Sequence, residues 1–236
     1  MTDLQETVDE PLLAPVELVI FDCDGVLVDS ERIAVRLQVE IGAQLGWPIS
    51  TDEVVARFIG RTHAVIWQQI GDRLGAEAAA EWERRFEQRH RELVDTELTP
   101  VDGIVEALAG LDLPYCVASS GSHEKMRHTL GRTGLYELFE GRIFSASEVA
   151  RGKPFPDVFL HAAARTGHAP AACAVVEDSP NGLRAGLAAG MRCYGYTGGP
   201  TGAALTAAGT GTGAVLLDDL RRLPALLRAV AARPTA

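Results

Sequence analysis

The chain has 236 residues, of which 47% are hydrophobic and 23% charged, the balance of a soluble protein with a real core: one large domain, or one domain carrying a sizeable insertion. Its formal net charge of −10 supplies no basic face, so neither nucleic acid nor membrane is expected among its partners. No stretch approaches the roughly 18 continuous apolar residues of a membrane span, and residues 1–14 are acidic without an apolar segment, which reads as a flexible tail and not a signal peptide; a cytoplasmic protein is the expectation, monomeric or a weak homodimer.

The first element is Leu18–Phe21, an unbroken apolar run of the kind that forms a strand buried on both faces. It ends in Asp22-Cys23-Asp24-Gly25, where two carboxylates one residue apart are costly unless something cationic sits between or beside them. After Ser30 the pattern turns helical: Ile33, Leu37, Ile41 and Leu45 recur at every fourth position, and Gly46-Trp47-Pro48 ends the run. Thr51-Asp52-Glu53 reads as a cap and acidic first turn of a second helix. Gly60 interrupts it, a third helix opens at Thr62 or His63 and runs through Trp67 and Ile70, and a fourth spans roughly Glu77–Val94 with Trp82, Phe86 and Leu93 on one face. Residues 31–95 therefore read as a helical insertion the size of a small domain, set into a discontinuous core of residues 15–30 and 96–232.

Strand and helix alternate from there on. Helices are expected over Asp102–Leu111, Ser122–Thr133, Asp157–Thr166 (with Pro156 near its first turn) and Ser179–Ala189, and an Ala/Leu-rich helix closes the chain. Strands are expected over Tyr115–Ala118, Arg142–Phe144, Cys173–Val176 and Met191–Tyr194, with a weak one over Ala214–Leu217. The alternation indicates an α/β protein whose parallel sheet is covered by helices on both faces, a fold in which ligands bind at the carboxyl ends of the strands where strand order reverses. The Gly/Thr/Ala stretch Gly198–Gly213 reads as loop and short helix, without dinucleotide-binding spacing. Cys23, Cys116, Cys173 and Cys193 are dispersed in or beside apolar runs, as buried reduced thiols and not a disulfide framework or zinc site.

Polar residues gather at the strand ends. The first strand ends in Asp22 and Asp24, and the second in Ser119, followed by Ser120-Gly121-Ser122 at the mouth of a helix, where backbone N–H groups and the helix dipole suit an anion. Lys153 stands in a loop before another helix, and Cys173–Val176 runs into Glu177-Asp178. Singly, Ser119 reads as a helix cap, Lys153 as a surface lysine and Glu177-Asp178 as a capping pair. Taken in order they can converge on one point. Carboxylates from two strands can hold Mg²⁺, which takes oxygen ligands, while Ser119, nearby N–H groups and Lys153 hold the oxygens of a phosphoryl group. Asp22 is then free to attack phosphorus, and Asp24 to protonate the leaving oxygen and later activate water.

With these motifs the chain resembles the haloacid dehalogenase-like hydrolase superfamily, in its phosphatase and phosphomutase branch with a small helical cap inserted after the first motif. The resemblance runs from Leu18 to about Leu223. It implies a Rossmann-like core with a helical cap domain, Mg²⁺ as cofactor and a small phosphorylated metabolite as substrate. Asp22-Cys23-Asp24-Gly25-Val26 matches the first motif, implying Asp22 as phosphoryl-accepting nucleophile and Asp24 as general acid/base. Ser119 matches the second motif, Lys153 the third and Glu177-Asp178 the fourth. Mg²⁺ is then implied at the Asp22 carboxylate, the backbone carbonyl of Asp24 and the fourth-motif acids, Asp178 above all. An acid at position 24 speaks against true dehalogenase chemistry, whose enzymes lack it. The mutase histidine four residues after the first-motif serine is replaced by Ala34, and the overall likeness is to bacterial phosphatases of sugar phosphates and phosphosugar acids.

A cap would close over the site, exclude water and select the leaving group. Its Gly60-Arg61-Thr62-His63 loop offers Arg61 as a cationic contact to the sugar, although Arg61 also suits a helix cap or the surface. Glu31 either points into the cleft or sits in the acidic first turn of its helix. Trp67 and Trp82 read as cap-core residues. The leading expectation is a Mg²⁺-dependent phosphomonoesterase working through an aspartyl-phosphate; the alternatives are a β-phosphoglucomutase-like mutase and, more remotely, a receiver-type module that only accepts phosphate.

Overall fold

The computed structural model describes residues 15–231 except Gly60 and Thr62; the tail expected over 1–14 and those two loop positions lie outside the described residues. Six strands form one parallel sheet in the order β3-β2-β1-β4-β5-β6: β1 Leu18–Phe21, β2 Tyr115–Ser119, β3 Ile143–Ser145, β4 Cys173–Glu177, β5 Arg192–Tyr196 and β6 Val215–Leu217. β1 is central. Ile20 lies opposite Cys116 of β2 on one side and Val175 of β4 on the other. The chain moves outward from β1 through β2 to β3, then crosses back to β4 beside β1, so the strand order reverses next to β1 and opens a crevice at the ends of β1, β2 and β4.

The unbroken apolar strands follow from burial on both faces. Leu18 and Ile20 point into one core with Cys116, Ala118, Val175, Val158, Phe159 and Leu183, and Val19 and Phe21 point into the other with Val117, Val176, Leu130 and Phe139. The first core is covered by α8 (Asp157–Thr166) and α9 (Pro180–Ala188), the second by α6 (His123–Arg132), α7 (Tyr136–Phe139) and, at its edge, α5 (Ile104–Ala109). The sheet thus has the Rossmann-like α/β form expected from the alternation.

Between β1 and α5 the described residues hold four helices and no strand: α1 Ser30–Gln44, α2 Thr51–Arg57, α3 His63–Leu74 and α4 Ala76–Glu97. Their interior is built on Trp82, which is fully buried, meets Trp47 and Phe58 edge-on, and donates its indole N–H to Gln38 Oε1 at 2.5 Å. The two chain segments joining these helices to the sheet run side by side: Asp29 N donates to Thr99 O at 3.0 Å and Val101 N to Leu27 O at 3.0 Å.

Several expected boundaries shift, each for a local reason. The helix expected over Asp102–Leu111 is confined to Ile104–Ala109 because Gly103, at φ 81°, is left-handed and Gly110 ends it. The second helix is capped by Ser50, not Thr51: the Ser50 hydroxyl accepts from Glu53 N and the Glu53 carboxylate accepts from Ser50 N, a complete capping box. The strand expected over Met191–Tyr194 runs from Arg192 to Tyr196, and α10 (Gly202–Gly209) occupies the stretch read as loop and short helix; α11 (Leu223–Ala231) ends the described chain.

Candidate active site

β1 delivers Asp22 to the sheet's carboxyl edge, where its backbone N–H still donates to Val176 O of β4 at 2.9 Å. The chain then turns tightly: Leu27 N and Val28 N both donate to Cys23 O, and Gly25 N donates to Val28 O. This turn holds Asp22 and Asp24 at the mouth of the crevice. β2 delivers Ser119, and the turn after it is pinned by Gly121 N donating to Ser119 Oγ at 3.1 Å and by Ser145 Oγ donating to Gly121 O at 2.7 Å. The cap of α6 is Ser122, whose hydroxyl accepts from Lys125 N, so Ser119 is not the helix cap of its plain reading.

Lys153 is no surface lysine. Its side chain is 5% exposed, and its ammonium donates to Asp22 Oδ1 at 2.7 Å, Glu177 Oε1 at 2.6 Å and Ala118 O at 3.1 Å, with the Phe159 ring centroid 4.7 Å away. Glu177 spends its other oxygen, Oε2, on Ser179 N at 2.8 Å and Ser179 Oγ at 2.9 Å. Asp178 is 3% exposed and accepts from the Thr201 hydroxyl at 3.2 Å. Oxygen atoms of Asp22, Glu177 and Asp178 all lie within 4.8 Å of one another.

The electrostatics follow from this crowding. Burial pushes the Asp22 carboxyl up to about 7 against the opposing pull of the Lys153 ammonium, with the Glu177 charge adding to the rise. Burial, then the Glu177 charge, pushes Asp178 well above the ordinary carboxylate range. One ammonium is too little counter-charge for three buried acids. Asp24 differs: burial would raise it, but the Lys125 ammonium 2.7 Å from Oδ2 and the Ser30 hydroxyl 2.7 Å from Oδ1 outweigh that and hold it below its usual value. Glu31, on the first turn of α1, is pushed up to about 7 by burial and by the neighbouring Asp24 charge.

A cavity of about 570 Å³ opens over these groups. Asp22, Asp24, Lys153, Glu177 and Asp178 form its floor, Ser119 and Ser120 one wall, and Glu31 and Arg61 come from the helical side. Every residue expected from the sequence as catalytic, substrate-binding or metal-ligating therefore lines one cavity. Arg61 is exposed within it, whereas Trp82 lies in the helical core and Trp67 packs edge-on to Phe86.

Sequence reasoning passed over Lys125, Ser30 and Thr201. Lys125 had a signal: it stands three residues after the helix cap Ser122, and helical side chains lean toward the N-terminus, here toward the end of β1. Thr201 had none, since it reaches Asp178 from a glycine-rich loop far along the chain.

A family model described as haloacid dehalogenase-like hydrolase matches residues 16–190. The chain is 33% identical over 187 residues to 6-phosphogluconate phosphatase of Escherichia coli, covering 77% of this chain and 83% of that one. It is 34% identical over 178 residues to hexitol phosphatase A of the same organism, covering 72% and 78%. Among solved structures it resembles a hydrolase of the same family from Deinococcus radiodurans with bound phosphate and sodium, at a TM-score of 0.78 and 30% identity over 92% of this chain and 97% of that one.

Proposed function

The chain belongs to the haloacid dehalogenase-like hydrolase family, and from that premise we propose that it is a Mg²⁺-dependent phosphatase of small phosphosugars, working through an aspartyl-phosphate on Asp22. The observation that carries this reading is the Lys153 ammonium bridging Asp22 and Glu177 at 2.7 and 2.6 Å on the floor of a cavity lined by Ser119 and Asp178. The relatives named for 6-phosphogluconate and hexitol phosphates support a phosphosugar as substrate.

The donor set fits a hard divalent cation. It is all oxygen, it gathers three carboxylates within 4.8 Å, and the raised Asp22 and Asp178 carboxyls mark buried negative charge that the protein leaves undercompensated. In this reading Asp22, Asp178 and the backbone carbonyl of Asp24 hold Mg²⁺, which supplies charge neutralisation at the phosphoryl oxygens when bound. Glu177, with both oxygens engaged by Lys153 and Ser179, anchors Lys153.

The remaining work falls to the chain's own residues. Ser119, the N–H groups of the Ser120-Gly121 turn and Lys153 bind the phosphoryl oxygens. An Asp22 carboxylate oxygen bonds to phosphorus as the ester P–O bond breaks, and the leaving oxygen takes a proton from Asp24. Water then attacks phosphorus, gives its proton to Asp24 and releases phosphate with Asp22 restored. Lys125 favours the ionised Asp24 that this second step needs; the first step asks Lys125 to relax toward solvent, to which its side chain is already 44% exposed.

Residues 31–95 are, in the same reading, a cap domain hinged on the paired segments around Asp29 and Thr99, with residues 15–30 and 96–232 as the core. Arg61 and Glu31 present a cation and an acid to the sugar moiety. The four free, buried cysteines support a reducing compartment, and the cytoplasm is the proposed location; among the described residues no helix is long and apolar enough to cross a membrane.

Phosphate release from a panel of sugar phosphates, hexitol phosphates and phosphosugar acids with Mg²⁺ tests the proposal. Efficient turnover of at least one, with loss in Asp22→Asn, is expected. Isomerised sugar phosphate outrunning phosphate release would instead indicate the mutase.

A further inference from the structure

Asp178 is the acid of the cluster that Lys153 does not touch, and its place is bounded by Gly25 of the first motif and by Thr201, which lies outside the recognised motifs. Against one side lies Gly25, where a Cβ would stand 2.2 Å from Asp178 Oδ2. Thr201 and Asp178 are 2% and 3% exposed, and the Thr201 hydroxyl donates to Asp178 Oδ2 at 3.2 Å. The Thr201 hydroxyl is thus a buried donor to this carboxylate.

The loop that carries Thr201 is tied at several points. Thr197 N donates to Leu217 O at 2.8 Å and Gly202 N to Gly199 O at 3.1 Å. A Cβ at Gly202 would lie 2.0 Å from Thr197 O, and one at Gly198 would lie 2.6 Å from Asp218 O, so the turn leaves no room for a side chain at these two positions. Leu205 N donates to Thr201 O at 2.9 Å, which locks Thr201 to the start of α10. A hydroxyl delivered by so tight a turn is placed before any ligand arrives.

We propose that Thr201 is a positioning residue for the metal site, fixing the Asp178 carboxylate through Oδ2 so that Oδ1 is presented to the divalent cation. The inference rests on the reading of Asp178 as a metal ligand and adds a supporting residue that the family motifs do not contain. Outer partners of this kind commonly change metal affinity by about 10–100-fold when removed.

The test measures cation binding without substrate. Mn²⁺, as a spectroscopic probe, is titrated into the wild type and into Thr201→Val, Thr201→Ser and Asp178→Asn, with binding read by electron paramagnetic resonance. Thr201→Val is expected to weaken Mn²⁺ binding about 10–100-fold, Thr201→Ser to bind as the wild type does, and Asp178→Asn to lose binding. Wild-type affinity in Thr201→Val, or a serine variant as weak as the valine one, overturns the proposal. Unchanged binding in Asp178→Asn overturns the metal-ligand reading instead. Should the valine variant fold poorly, Thr201→Ala gives the same readout.

Discussion

Gly25 sits at φ 79°, and the Asp178 carboxylate occupies the space a side chain would need. Both facts demand glycine after the second aspartate, one for backbone conformation and one for close approach. Gly25→Ala is expected to cost about 1–3 kcal/mol of backbone strain and to displace Asp178, seen as a lower Tm together with weakened Mg²⁺ binding. Asp22 carries the clearest pH signature. Its carboxyl lies near 7 in the folded protein against an ordinary 3.8, so between those values the folded state holds a proton that the unfolded state has lost. Its contribution to stability is full below about 4 and is lost as pH rises through about 7. The difference in Tm between metal-free wild type and Asp22→Asn should therefore shift against the wild type from pH 4 to 7 and level off above. Saturating Mg²⁺ should flatten that slope; a difference that moves the opposite way contradicts the assigned environment.

The helical elements show how much a sequence pattern holds and where it stops. α1 was legible because Ile33, Leu37 and Ile41, all buried, repeat on one face. The start of α2 was legible only to within a residue, although Ser50 and Glu53 carry the spacing of a capping box. Ser50→Ala is expected to lower stability by about 0.5–2 kcal/mol in denaturant unfolding. Trp82→Phe tests the helical core more sharply. It leaves Gln38, 4% exposed, without the indole donor, at a cost of about 1–3 kcal/mol beyond the lost ring volume. α7, with 4 residues, was not legible because one turn has no periodicity to read.

At the scale of the whole molecule, alternation of strand and helix was enough to indicate a parallel sheet, but not its order, since which strands pair is decided by packing between distant segments. Asp22, Ser119 and Glu177 were legible because each ends an apolar run. Lys125 and Thr201 were not singled out, because their roles arise only when the loops around β1 close in space. Lys153 holds the assembly together: Lys153→Met leaves Asp22 and Glu177 buried without their ammonium and is expected to destabilise the metal-free protein by about 3–5 kcal/mol, measured by denaturant unfolding. The central claim is that Asp22 itself receives the phosphoryl group. Acid quenching within one turnover on a radiolabelled phosphosugar, followed by mapping of the labelled peptide, tests it most directly. The account predicts hydroxylamine-sensitive phosphate on the peptide containing Asp22 and none in Asp22→Asn; rapid phosphate release with no label on the protein, undiminished in that variant, would contradict it.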